Sequence, residues 1–301
     1  MLQLTSRPLQ RAQIDGRKPL PGRRARACQR ITFSGVSGAR GPDPVGIEMN
    51  ARAADDITTL PGYRRVLRVE PEQDGVLAML EDDLHCMAVR LRHDGERVTA
   101  VEPRMERVPW TICPGAAEVL VKTFTGSLLG EVTARREKQA NCTHLHDLAV
   151  IAAAHALDEA PVDYHIFVSD PRDADGEPER RLEIRRNGQL MHSWVERGGN
   201  FVAPSDLAGL SALTMRDWIA SLEGAEQEAA RLLQWASLVA HGRTMTNEQR
   251  RSSLGMRPSC FTMQPERVEH ARMANGIHDF SAGGRQPLEG LQHEFEAAHG
   301  P

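Results

Sequence analysis

At 301 residues and 40% apolar content, the chain is long enough for one large domain or two small ones with a substantial core. The formal charge of −4 offers nucleic acid no general basic footprint, and no apolar run approaches membrane-spanning length. Five widely spaced cysteines (Cys28, Cys86, Cys113, Cys142, Cys260) without a C-x-x-C pair argue against a disulfide framework.

Residues 1–50 carry nine Lys/Arg against three Asp/Glu but lack the apolar segment of a secretory signal. An Arg-rich, acid-poor leader also suits an organelle transit segment, while Met49, just before the patterned sequence, fits a start placed too far upstream. The leader 1–58 is expected to be disordered, and the protein cytoplasmic. Residues 59–242 then read as a catalytic or ligand-binding α+β domain. Tyr63–Val69, Val76–Leu80 and Leu84–Leu91 read as strands, with Asp74-Gly75 and Asp94-Gly95 as hairpin turns, the latter of type I′ before Val98–Val101. Pro114 opens a helix over Ala116–Phe124, and a second helix runs from about Thr143 to Ala156. Strand pattern returns at Tyr164–Ser169, an acidic loop is expected at Asp170–Glu179, and Asn187-Gly188 joins Leu182–Ile184 to Leu190–Val195 in a further hairpin. Glu223–His241 has an apolar stripe, with Gly242 as its stop. The expected fold is an antiparallel meander of hairpins with helices packed on one face. Residues 243–301 are expected to form an extended arm that could reach across a partner in a homodimer. Val89–Gly95 weakly echoes Leu182–Gly188, a similarity that hairpins share by default.

Chemistry concentrates in two words, Trp110-Thr-Ile-Cys-Pro-Gly-Ala116 and Asn141-Cys-Thr-His-Leu-His-Asp-Leu148, each beside a helix start where unpaired N–H donors gather. His144 suits general acid/base work, with Asp83 or Asp147 orienting it. The bland alternative has Asn141 or Thr143 capping the helix, Cys142 packed as a small apolar residue and His144 bonded to a carbonyl. Cys113 at a helix N-terminus could be a nucleophilic thiolate, or it and Trp110 could simply pack the corner. Cys142, His144 and His146 could ligate a metal only with help from Cys113, His85 or Asp83. In Tyr63-Arg64-Arg65, alternation allows only one arginine to point inward and bind a phenolate or carboxylate. No Gly-rich phosphate loop is present, and neither a metal nor a cofactor is expected.

Taken together, Tyr63-Arg64-Arg65, Glu81-Asp82-Asp83, Leu91-Arg-His-Asp-Gly95, Trp110–Ala116 and Cys142–Leu148 resemble a bacterial domain-of-unknown-function family, firmly over about Tyr63–Ala156. Some relatives are associated with breakdown of lignin-derived aromatics, and Arg257–Phe261 resembles that branch. The resemblance implies a cofactor-independent lyase that releases formaldehyde from the hydroxymethyl side chain of a phenolic dimer. It assigns proton transfer to His144, orientation to Asp83 or Asp147, and substrate contacts to Tyr63, Arg64, Arg65, Trp110 and His146. His146 fills a variable family position, which favours His144 as the catalytic histidine. The alternatives are a non-enzymatic aromatic-ligand binder, a hydrolase with Cys113 as nucleophile and His144 as base, and a metal-dependent enzyme.

Overall fold

The computed structural model describes residues 57–135, 137–254, 257–291 and 295, so the expected leader lies outside the described residues up to 56. Among them, nine strands form one antiparallel sheet: β1 (Gly62–Glu72), β2 (Gly75–Asp82), β3 (Cys86–His93), β4 (Val98–Arg107), β5 (Val162–Ser169), β6 (Arg172–Ala174), β7 (Glu177–Arg186), β8 (Gln189–Arg197) and β9 (Asn200–Ala203). The order is β4-β3-β2-β1-β5-β7-β8-β9, with β6 pairing β7, so two meanders run outward from the central β1–β5 pair. Helices α1 (Ala116–Phe124), α2 (Leu129–Val132) and α3 (Thr143–Ala154) follow the first meander, and α4 (Arg216–Ser221) and α5 (Gly224–Thr244) follow the second. The fold is α+β. The echoed segments end β3 and β7, which lie third and second from the centre of their halves, so they are not equivalent positions.

Strand alternation sends Tyr63, Leu67 and Val69 of β1, Ala78 and Leu80 of β2, and Met87 and Val89 of β3 into the core shared with α1, α3 and α5. All of β2 is nevertheless buried, because its other face also has a cover. Leu288 and Phe295 pack there on Val66, Leu77, Met79, Cys86 and Ala88, each contributing ~1.5–3 kcal/mol of apolar burial. The segment after α5, which also includes α6 (Asn247–Ser253) and α7 (Pro265–Val268), thus returns to the sheet of its own chain. No helix among the described residues is long and apolar enough to cross a membrane.

Turn chemistry departs from expectation at four places. The β1–β2 loop is Gln73-Asp74, because Gly75 already pairs with Glu72. Its glycine is required by packing, since a Cβ there would lie 2.6 Å from the Leu91 carbonyl oxygen. Asp94 opens a longer β3–β4 loop by accepting the N–H groups of Glu96 (3.0 Å) and Arg97 (2.7 Å), and only Gly95 of the pair has positive φ, so the turn is not type I′. Within the expected acidic loop, Asp175 (φ 57°) and Gly176 (φ 85°) join β6 to β7 in the same manner as Asn187-Gly188 joins β7 to β8. Gly242 does not stop α5; the helix continues to Thr244, and the missing side chain admits Leu84, whose Cδ1 would be 3.2 Å from a Cβ.

His155, the residue that follows α3, bridges Asp158 (2.7 Å) and Glu228 of α5 (2.9 Å), while Tyr164 also donates to Glu228. The Glu228 hydrogen bond, outweighing burial, raises the His155 pKa above its ordinary value. A raised histidine contributes stability that is full below its unfolded pKa of ~6.5 and is lost as pH rises through the folded value. His155→Gln is therefore expected to cost on the order of 1 kcal/mol at pH 5.5 to 6 and less at pH 9. Urea unfolding of both proteins at the two pH values measures the difference; an equal loss at both would remove the ionised bridge.

Candidate active site

The β1–β2 register sets Arg65 opposite Asp82, and alternation places Tyr63 and Arg65 together on the helix-covered face. Asp82 ends β2 and shapes the turn into β3, accepting the N–H groups of Leu84 (2.7 Å) and His85 (2.8 Å) through Oδ1. That turn folds the His85 ring back, with Nδ1 3.1 Å from the same oxygen. Oδ2 accepts from the Tyr63 hydroxyl (2.6 Å) and from Arg65 Nη2 (2.6 Å) and Nε (3.0 Å). Six donors converge on one buried carboxylate.

His144 enters this cluster from the first turn of α3. Its ring stacks on His85, centroids 3.7 Å apart at 29°, and lies 5.0 Å from the ring of Trp235 on α5. Its Nε2 is 3.4 Å from Arg65 Nη2. A guanidinium can only donate, so Nε2 is the acceptor and the ring proton belongs on Nδ1. The Arg65 guanidinium also lies 4.4 Å from the Trp235 ring centroid. Burial, reinforced by His85 and Arg65, holds the His144 pKa well below that of an ordinary histidine. Burial pushes Asp82 up, but His85 and Arg65 outweigh it and keep the carboxyl well below its usual range. Burial raises the Tyr63 phenol. At neutral pH the site holds an ionised Asp82–Arg65 pair beside a neutral His144 and a neutral Tyr63.

Of the residues singled out in the sequence, Tyr63, Arg65 and His144 therefore meet. Arg64 faces the other way, over the Phe167 ring at 5.1 Å and donating to the Gly62 (3.1 Å) and Leu60 (3.2 Å) carbonyls. Asp83 pairs with Arg243 and accepts the Arg64 N–H (3.3 Å); burial pushes its carboxyl up to about 7 against the pull of Arg243. Asp147 pairs with Lys138, whose Nζ is 5.3 Å from the Trp235 ring centroid. His146 packs on Phe124 at 5.1 Å, and neither of its ring nitrogens has a hydrogen-bond partner. Trp110 is buried at the corner and bridges to Met273. The α3 N-cap is Cys142, with no side-chain cap, while Asn141 donates instead to Thr123 Oγ1 (3.1 Å) and the Glu137 carbonyl (3.0 Å). Asp82, the orientation of His85 and Trp235 were missed; an aspartate opposite an inward arginine was the available signal for the first.

Cys113 is buried with Sγ 3.3 Å from Thr262 Oγ1, and burial raises its thiol pKa, so it lacks the exposed thiolate that a nucleophile requires. Iodoacetamide is expected to leave Cys113 unmodified in the native protein and to label it after denaturation. Peptide mass mapping reads both states, and rapid native labelling would restore the nucleophile.

Asp82, His85 and His144 each offer a ligand atom, all within 4.8 Å of one another, a grouping known from metal sites. Both Asp82 oxygens also accept hydrogen bonds from protein donors, and Arg65 Nη2 lies 3.4 Å from His144 Nε2, so the same donor set is shared with a guanidinium.

No curated protein and no solved structure matches the chain. Residues 67–158, the segment that carries Asp82, His85, Cys113 and His144, match the family model described as "Protein of unknown function (DUF2889)".

Proposed function

We propose that the protein is a cofactor-independent lyase that releases formaldehyde from the hydroxymethyl side chain of a lignin-derived phenolic dimer. The observation that carries the reading is the buried Asp82–His85 dyad stacked on a neutral His144 beside Arg65. Asp82 holds the Nδ1–H of His85, leaving Nε2 to take and return protons. In this mechanism a base removes the phenolic proton, and the benzylic hydroxyl or ether departs to give a quinone methide. A second proton abstraction, from the terminal alcohol, lets the carbon–carbon bond break. Its electron pair restores the aromatic ring as formaldehyde leaves, so no oxidant or reductant is needed. His85 and His144 divide the proton transfers, and the charge of Arg65 favours the phenolate. With this reading go a cytoplasmic location, a small aromatic substrate as partner and a homodimeric assembly.

The test is formaldehyde release from a panel of phenolic dimers bearing hydroxymethyl side chains, with purified protein and no additions. Steady release supports the lyase. Saturable binding without turnover would replace it with an aromatic-ligand binder, a second reading favoured by the full complement of donors on Asp82.

A further inference from the structure

Arg65 is 1% exposed, and its donors are unequally used. Nε and Nη2 bind Asp82, and Nη2 also faces His144, but Nη1 is buried without a hydrogen-bond partner. A buried charged donor without a protein partner is costly, and such atoms call for an explanation. The same guanidinium stacks on Trp235, and the Tyr63 ring lies 5.4 Å from it. Tyr63, Arg65 and Asp82 are fully enclosed, whereas Trp235 is half-buried and the Lys138 side chain beside its ring is 40% exposed. Trp235 is thus the most exposed of the groups packed directly on the guanidinium.

We infer that Arg65 Nη1 and the Trp235 indole form a recognition site for an aromatic oxyanion, with Trp235 turning aside to admit the ring and then stacking on it. The inference rests on reading this cluster as the reaction site, and it names the donor and the platform that select the ligand. An oxyanion supplies the acceptor that Nη1 lacks, and the planar ring replaces the guanidinium as a stacking partner of the indole. Phenolates and aromatic carboxylates share this chemistry, so both are used as probes.

The experiment measures binding of 4-nitrophenol, benzoate and nitrobenzene to the full-length protein, following the phenolate absorption band and tryptophan fluorescence. Bound 4-nitrophenol is expected to show its phenolate band at a pH one unit below the ionisation of the free probe. Nitrobenzene, similar in shape but without an ionisable oxygen, is expected to bind at least about tenfold more weakly, the loss of one charge-assisted hydrogen bond. Arg65→Lys keeps the charge but not the fork and should weaken the anions by about tenfold; Trp235→Ala should weaken them similarly, and Trp235→Phe by less than about threefold. If Arg65→Lys does not fold, the nitrobenzene comparison and the two Trp235 variants decide. Equal binding of nitrobenzene and 4-nitrophenol, or Trp235→Ala binding within twofold of the parent, overturns the inference. Benzoate displacing nitrophenolate identifies carboxylates as the preferred class. Oxyanion binding without formaldehyde release would sink the lyase and leave this site standing; release by a protein that binds only neutral phenol would do the reverse.

Discussion

Replacing His85 by glutamine is expected to lower formaldehyde release by about 10²–10⁴-fold, the usual worth of one positioned acid/base group. Glutamine can still donate to Asp82 and fill much of the ring volume, so the turn closed by the Asp82 carboxylate should survive. What disappears is a group that can take a proton and give it back. His144→Gln is expected to cost less, about tenfold to a hundredfold, because its Nε2 lone pair already faces Arg65 at 3.4 Å and is the less available of the two. Asp83→Asn and Asp147→Asn should stay within about threefold of the parent, since those carboxylates are bound by Arg243 and Lys138. Rates are compared at each variant's optimal pH with circular dichroism as a check on folding. A loss below tenfold in His85→Gln would remove it from the chemistry. A larger loss in His144→Gln than in His85→Gln would return the base to the α3 histidine.

Asp82→Ala is expected to destabilise the fold by about 3–5 kcal/mol, the range for removing one partner of a buried ion pair. The loss exceeds that of an ordinary hydrogen-bonded side chain because the Arg65 charge stays behind at 1% exposure, with the Tyr63 hydroxyl and the N–H groups of Leu84 and His85 left unpaired. Asp82→Asn, which keeps the acceptor oxygen but not the charge, should fall between Ala and the parent. Asp83→Asn supplies the contrast: burial pushes that carboxyl up to about 7 against the pull of Arg243, so losing its charge should cost less than losing that of Asp82. Asp82 lies well below its ordinary pKa, so its contribution is present above about pH 4 and is lost only as pH falls through the depressed value. Urea unfolding at pH 7 measures all three variants. A cost below about 1 kcal/mol for Asp82→Ala would mean that the pair is not held as described.

Asp82 and Asp83 illustrate why the site was only half legible in the sequence. Neighbouring residues on a strand face opposite ways, so only one of the two can share a face with Arg65, and which residue stands directly across from Arg65 depends on the register, which follows the turn. Moving the loop from Asp74-Gly75 to Gln73-Asp74 shifts every cross-strand partner by two residues, and only the latter sets Arg65 against Asp82. Gly75 drew attention as a turn residue, yet it sits in β2 because the Leu91 carbonyl approaches too closely for a Cβ. His144 was recognisable from its helix start, whereas His85 depended on a turn that the Asp82 side chain itself creates, and Trp235 depended on how α5 crosses the sheet.

Short-range physics determined the element types. Alternation marked the strands, Asn187-Gly188 supplied the positive φ pair of a tight hairpin, Pro114 stood ahead of α1, and among the described residues no helix is long and apolar enough to cross a membrane. Tertiary structure decided which charges meet. The strand order brings β1 to the centre beside β5, α3 and α5 cover one face, and Leu288 and Phe295 cover part of the other. Local propensity has a range of a few residues, whereas the Asp82 carboxylate is placed by contacts 17 to 19 residues away and His144 by one 79 residues away. Such contacts form only when the hydrophobic faces have already selected a single packing, which is why the reactive groups could be nominated from the sequence but their partners could not.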